Sequence, residues 1–235
     1  KSNFNNLKIE SVSKQFPGVK ALDSVSMNIS AGKVHALMGE NGAGKSTLIK
    51  VLAGAYSKDE GKIFFDSNEI KINSPHDSLK LGIKVVYQEI SLISEFTVAE
   101  NIYLENFPVN KLGIVNWKKL FKDAENLFSK IGFNLDPKAK ISDLSISQQQ
   151  MVEIARAVFQ NASIVIMDEP TSSLTPNEIK KLFDVIENLK NNNIAILYVT
   201  HKIDEIFEIA DEVTVFRDGK HISNRKISET SEEIL

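Results

Sequence analysis

Gly39-Glu40-Asn41-Gly42-Ala43-Gly44-Lys45-Ser46 fits the spacing G-x-x-x-x-G-K-[ST], and it follows an apolar run, Val34 to Met38, that reads as a buried strand. Glycines at these positions let backbone N–H groups turn toward a triphosphate. Lys45 can reach the β and γ phosphates, and the Ser46 hydroxyl can ligate Mg²⁺, with Thr47 next in line as a phosphate contact. The helical pattern from Lys45 to Leu52 completes the strand–loop–helix context that a phosphate-binding loop requires.

A second constellation argues that the triphosphate is cleaved rather than only carried. Ile164-Val165-Ile166-Met167 is an apolar run suited to a central parallel strand, and it ends in Asp168-Glu169. Open α/β sheets bind ligands beyond the carboxyl ends of their strands. Asp168 is therefore expected to hold Mg²⁺ through water, and Glu169 to polarise the attacking water. Adjacent residues on a strand point to opposite sides, which would give the two carboxylates separate roles.

These residues must be positioned by the elements around them. Leu7 to Val12 and Val25 to Ile29 read as strands, followed by a turn at Ala31-Gly32; Gly61 to Phe65 and Ile70 to Ile72 continue a β-rich edge. Residues 75 to 81 carry a helical pattern ended by Gly82, and Ile83 to Gln88 reads as another strand. From Val98 to about Phe159 the period is helical; Trp117 to Ile131 puts Leu120, Ala124, Leu127, Phe128 and Ile131 on one face. Beyond Asp168 come a helix, Pro176 to Asn191, a strand, Ile194 to Thr200, a short helix, Lys202 to Ala210, and a strand pair around Asp218-Gly219. Alternating strands and helices imply a parallel sheet, interrupted by the helical stretch as an inserted subdomain.

Composition sets the frame. A chain of 235 residues with 42% apolar content suits one α/β domain with an insert. Net charge is −3 with both signs mixed, so the basic face of a nucleic-acid binder is missing and no nucleic-acid partner is expected. The absence of cysteine excludes disulfides and thiolate metal sites. No apolar run approaches 18 residues, and no signal peptide opens the chain. The first residue is Lys, and Glu229 to Leu235 reads as the start of a helix, which suggests a piece of a longer protein.

Taken in order along the chain, these motifs resemble the ATP-binding cassette of ABC transporters. Phe16, shortly before Ala21-Leu22, resembles the aromatic that stacks on adenine. Gln88 resembles the glutamine that contacts Mg²⁺ and the attacking water and signals to the membrane partner. Leu144-Ser145-Ile146-Ser147-Gln148 occupies the position of the signature motif, which makes Ser145 and Gln148 candidate ATP contacts. Ser172-Ser173-Leu174-Thr175 resembles the loop that crosses the dimer interface, and His201 the histidine that hydrogen-bonds the γ phosphate. The implied fold is a P-loop NTPase core with a parallel sheet, an N-terminal antiparallel β subdomain and an inserted α-helical subdomain. The core would span about 1–95 and 160–235, and the helical part about 96–159.

The resemblance narrows to sugar-importer cassettes of the ribose, galactose and xylose type, in which two ATP-binding halves are fused. Phe16-Pro17-Gly18-Val19-Lys20-Ala21-Leu22, Gln148-Gln149-Gln150-Met151-Val152-Glu153 and His201-Lys202-Ile203-Asp204-Glu205-Ile206 look like the N-terminal half of such proteins. Nucleoside and autoinducer importers use similar cassettes. ATP and Mg²⁺ are the implied cofactors. The implied partners are a second cassette, fused or as a homodimer, transmembrane permease subunits and, indirectly, a periplasmic or lipid-anchored solute-binding protein. The implied location is peripheral, on the cytoplasmic face of the bacterial inner membrane. A groove near Gln88 and the apolar positions Ile90, Leu92, Ile93, Phe96 and Val98 is a candidate docking site for the permease, with helical-subdomain core as the other reading of those side chains.

One departure bears on mechanism. The usual signature is L-S-G-G-Q, and here Ile146 and Ser147 replace both glycines. Side chains hinder close approach of a helix N-terminus to phosphate, so this signature is expected to serve a weaker site. The resemblance to the fused importers implies an asymmetric pair, in which this half supplies an intact phosphate loop, Glu169 and His201 to one competent site completed by the partner half's signature. Two other classes remain: a non-transport cassette on ribosomes or DNA, which should carry long basic arms, and a nucleotide-binding regulator, which would lack a base such as Glu169.

Overall fold

The computed structural model describes residues 4–232. Strands β1 (Asn6–Phe16) and β2 (Val19–Ser30) pair antiparallel, and β4 (Glu60–Phe65) and β5 (Asn68–Ile70) add to them in the order β2-β1-β4-β5. Both leading strands outrun their apolar cores of Leu7–Val12 and Val25–Ile29. Their more polar ends, with pairs such as Gln15↔Lys20, continue the ladder through bulges, which apolar patterning does not register. The edge strand β5 lies at Asn68–Ile70 rather than at Ile70–Ile72; Ile72 is buried outside the strand.

A second sheet carries β3 (Val34–Gly39), β6 (Ile83–Val86), β7 (Ile164–Asp168), β8 (Ala195–Thr200), β9 (Glu212–Arg217) and β10 (Lys220–Lys226) in the order β10-β9-β3-β8-β7-β6. All neighbours are parallel except the β9–β10 hairpin. Its centre is buried on both faces. Val165 and Met167 of β7 join one core cluster with Ile196 and Tyr198, while Ile164 and Ile166 join the other with Leu197 and Val199. Such two-sided burial explains why the central strands read as continuous apolar runs. Helix α1 (Lys45–Leu52) and the antiparallel sheet cover one face, and α6 (Pro176–Asn191) packs in the other cluster.

Between β6 and β7 lie α3 (Val98–Ile102), α4 (Trp117–Ile131) and α5 (Ile146–Phe159). Leu120, Ala124, Phe128 and Ile131 are buried on α4 and Leu127 is partly so, as the 3.6-residue period requires. The stretch is not helical throughout: Val109 bridges Val115 across a turn held by Asn110 Oδ1, which accepts from the amides of Leu112 and Ile114. Helix α2 spans Pro75–Lys80 and α7 Ile203–Ile209. Residues 233–235 of the expected terminal helix lie outside the described residues, and 227–229 form a single 3-10 turn.

Candidate functional site

Four parallel neighbours, in the order β3-β8-β7-β6, end on the same edge of the sheet. Their carboxyl ends deliver the phosphate loop, His201, Asp168-Glu169 and Gln88 side by side. That is where an open α/β sheet leaves a crevice for ligand. The resulting cleft, about 740 Å³, is lined by Phe16, Glu40, Asn41, Gly42, Gly44, Lys45, Ser46, Thr47, Gln88, Asp168 and Glu169. It also takes Val19, Lys20, Ala21 and Asp218, which sequence reasoning did not single out as site residues.

The phosphate loop is built mainly from backbone. At Gly44, φ is 103°, and an added Cβ would meet the Ala21 carbonyl oxygen at 2.5 Å, so only glycine fits. Gly39 is fixed by crowding instead: its added Cβ would stand 2.5 Å from the Phe216 carbonyl oxygen. Gly39 and Ala43 are buried beneath the loop and shape it rather than line the cleft. The Gly219 amide donates to the Ala43 carbonyl at 3.2 Å, so the β9–β10 turn buttresses the loop from behind. Lys45 is buried, with its ammonium donating to the carbonyls of Gly39 at 2.6 Å and Glu40 at 3.1 Å. Helix α1 begins at Gly44 without a side-chain cap and without an acidic residue in its first turn. Its first amides thus point to an outside acceptor, as an anion site requires.

Asp168 closes β7, but Glu169 has left the strand: its φ is 47°. With this left-handed backbone Glu169 lines the same cleft as Asp168, so the two carboxylates are not sent to opposite sides as strand pleating would have it. Such a conformation costs a non-glycine residue about 1–3 kcal/mol. The Glu169 amide donates to the Val199 carbonyl at 2.9 Å, and Oε1 lies 3.0 Å from His201 Nδ1. His201 is exposed and reaches the cleft only through Glu169. Burial pushes the Asp168 carboxyl above its ordinary value, reinforced by the Glu169 charge and opposed by Lys45 and Lys50. Ser46, Gln88 and Asp168 offer a hydroxyl, an amide and a carboxylate, an all-oxygen set suited to Mg²⁺; a divalent cation would relieve the carboxylate repulsion.

Gln88 stands in an exposed bend, because β6 ends at Val86 rather than at Gln88; Tyr87 already turns outward. Phe16 is half-buried at the cleft rim, its ring 5.2 Å from that of Tyr56 in an edge-on contact. Ser145 and Gln148 do not line the cleft. Ser145 caps α5: its hydroxyl accepts from the Gln148 amide at 3.3 Å, and Gln148 Oε1 accepts from the Ser145 amide at 2.9 Å. The groove beside Gln88, about 320 Å³, is lined by Leu79, Tyr87, Ser91, Leu104, Glu105 and Arg156 among others, and by none of Ile90, Leu92, Ile93, Phe96 and Val98. Val98 is buried in the core and Leu92 packs against it, while Ile93 stays exposed.

Comparisons with known proteins agree with this arrangement. Residues 22–172 match the family model for ABC transporters. The galactose/methyl galactoside import ATP-binding protein MglA of Clostridium tetani is 50% identical over 219 residues, covering 92% of this chain and 44% of the relative. The protein of the same name from Pasteurella multocida is 47% identical over 225 residues, covering 96% and 44%. The chain thus spans less than half the length of these curated relatives. A nucleotide-free ATP-binding cassette from an ABC transporter superposes with a TM-score of 0.84 at 28% identity, covering 98% of this chain and 93% of that one. A cassette in its ADP conformation gives 0.83 at 28% identity, covering 95% and 92%. On its fold, its phosphate loop and these matches, the chain belongs to the ABC transporter family as an ATP-binding cassette.

Proposed function

We propose that this chain is an ATP-hydrolysing cassette that energises import of a monosaccharide, or a related small polar solute, through a bacterial ABC transporter. The observation that carries the reading is the convergence of Lys45, Ser46, Gln88, Asp168 and Glu169 on one cleft at the carboxyl ends of parallel strands. The sugar class rests on the names of relatives that are about half identical.

In this reading the loop amides and Lys45 bind the β and γ phosphates, and Phe16 receives the adenine ring. Mg²⁺, held by Ser46, Gln88 and Asp168, would supply charge neutralisation for the phosphates. Glu169 holds the attacking water and takes its proton, while His201 contacts the γ phosphate; both side chains must exchange their mutual 3.0 Å contact for these new partners. Positioned bases of this kind contribute about 10²–10⁴-fold to rate.

The division of labour follows: residues 1–95 and 160–235 as core, 96–159 as helical subdomain, the whole being one half of a two-cassette protein. Ser145 and Gln148 would face ATP held by the second cassette. A permease segment would seat in the groove lined by Tyr87, Leu104 and Arg156, with a solute-binding protein acting on the far side of the membrane. Among the described residues no helix is long and apolar enough to cross a membrane; peripheral attachment on the cytoplasmic face is proposed from the likeness to import ATP-binding proteins.

The test is Mg²⁺-dependent ATP hydrolysis by the chain alone and mixed with a separately expressed second cassette. Weak activity alone that rises strongly on mixing is expected. High activity alone, growing with the square of concentration, would make the chain a competent homodimer and overturn the asymmetric pairing.

A further inference from the structure

Glu205, on α7, lies outside the cleft and has no part in the steps above, yet it is only 6% exposed. Its carboxylate accepts from Thr171 Oγ1 at 2.5 Å, Tyr198 OH at 2.8 Å and Thr200 Oγ1 at 3.1 Å, and pairs with Lys202 Nζ at 3.0 Å. Lys202 Nζ also donates to Thr171 Oγ1 at 3.2 Å, closing a ring of three residues. Burial alone would raise this carboxyl; the hydrogen bonds from Thr171, Tyr198 and Lys202 outweigh it and hold the group below its ordinary value, so it is ionised. An ionised carboxylate has about four lone-pair directions, and four donors occupy them.

The identities of those donors matter. Thr200 directly precedes His201 and Lys202 directly follows it. The Lys202 amide donates to Thr200 Oγ1 at 3.1 Å, so His201 sits at the middle of a turn whose pivot hydroxyl is anchored on Glu205. Thr171 lies two residues beyond Glu169 and opens the segment Ser172-Ser173-Leu174-Thr175 that leads into α6. Packing does not hold the histidine end of the pair: the His201 side chain is 54% exposed, whereas that of Glu169 is 19% exposed and its backbone holds a left-handed conformation that its surroundings must enforce.

We propose that Glu205 is a positioning residue for hydrolysis: it sets the Glu169–His201 spacing and ties both loops to segment 172–175. The proposal rests on Glu169 and His201 being the hydrolytic pair. Through this carboxylate a displacement of segment 172–175, such as a second cassette would impose, reaches Thr200 and the His201 turn without crossing the nucleotide cleft. Misplacing reacting groups by about 1 Å costs on the order of 10²-fold in rate, while nucleotide binding, which depends on the distant phosphate loop, is spared.

The test compares Glu205→Gln, Thr200→Val and Tyr198→Phe in the full chain mixed with a second cassette. Thr200→Val keeps the side-chain volume and removes the hydroxyl that donates to Glu205 and accepts from the Lys202 amide, so it tests the anchor and the His201 turn together where Glu205→Gln fails to fold. Three quantities are read: ATP affinity, turnover, and the ring ¹H–¹⁵N shifts of His201 at one fixed pH. Expected are ATP affinity within about 2-fold of wild type, turnover down by roughly 10- to 100-fold, and displaced His201 shifts. Tyr198→Phe, whose hydroxyl leads to neither loop, should lose less. Unmoved His201 shifts with wild-type turnover would overturn the proposal. So would parallel losses of affinity and turnover, which describe a merely structural carboxylate. If the His201 shifts move while Glu169→Gln retains full turnover, the positioning stands and the assignment of the hydrolytic pair falls.

Discussion

Two helices of this chain start at loops that the cassette reading assigns to ATP, and their first turns are built in opposite ways. Helix α1 opens on Gly44, with no side-chain cap and no acidic residue in its first turn. Helix α5 opens on Ser145 within a reciprocal capping box: Ser145 Oγ accepts from the Gln148 amide while Gln148 Oε1 accepts from that of Ser145. The neighbouring Gln149 side chain donates to the carbonyls of Ile141 and Leu144, fixing the approach to the cap. One N-terminus has no side-chain cap; the other has the amides of Ser145 and Gln148 occupied by its own capping box. A phosphate arriving at α5 must displace a cap of the kind worth about 0.5–2 kcal/mol, and must pass the half-exposed Ile146 side chain. This difference gives the proposed asymmetric pairing a physical basis: an anion could reach the start of α1 without displacing a side-chain cap, whereas at α5 it would have to displace one.

The sharpest break in the comparison would come at Glu169, the proposed base on the α1 side. Glu169→Gln is expected to reduce Mg²⁺-dependent phosphate release by about 10³-fold with ATP affinity unchanged. Retained turnover would remove Glu169 as the base, and with it the claim that the α1 side carries the competent site. Lys45→Ala comes next. It deletes charge-assisted hydrogen bonds to phosphate worth about 1.5–3 kcal/mol, so titration with a fluorescent ATP analogue should show affinity falling roughly 10- to 100-fold. Undiminished affinity would mean that the backbone amides of α1 alone bind the triphosphate.

How far the sequence foretold this arrangement depended on distance along the chain. The phosphate loop was legible because its glycines, lysine and serine are consecutive, and Asp168-Glu169 because it ends a strand buried on both faces. Strand pleating led to the expectation that Asp168 and Glu169 point to opposite sides, but both line one cleft, since Glu169 takes a positive φ that its residue type does not announce. Asp218-Gly219 was visible as a hairpin turn. That its Gly219 amide reaches Ala43 was not, since the two lie far apart in sequence and meet only through β3 pairing with β9. The Glu205 network was hidden for the same reason: Thr171 and Glu205 are 34 residues apart, and a single glutamate on a short helix carries no periodic signal. Gln88 marked a real turn, two residues later than the strand that leads to it.

The smallest predicted effect bears most directly on the comparison. Replacing Ile146 and Ser147 together by glycine restores the usual signature while leaving Ser145 and Gln148 in place. Glycine in the first turn weakens the helix by about 1 kcal/mol per residue relative to alanine, so α5 should fray slightly and thermal stability should fall by a few degrees. The same change removes the exposed Ile146 side chain and lets the α5 amides approach a phosphate held by a facing cassette. Turnover of the chain alone at high concentration is therefore expected to rise several-fold, since each copy would then supply both a loop and a usable signature. Ile146→Ala separates the two contributions, because it clears the side chain without loosening the helix. An increase with Ile146→Ala equal to that of the double glycine variant would place the obstruction in the side chain. An increase confined to the glycine variant would place it in the Ser147 side chain or the capped first turn of α5, not in Ile146.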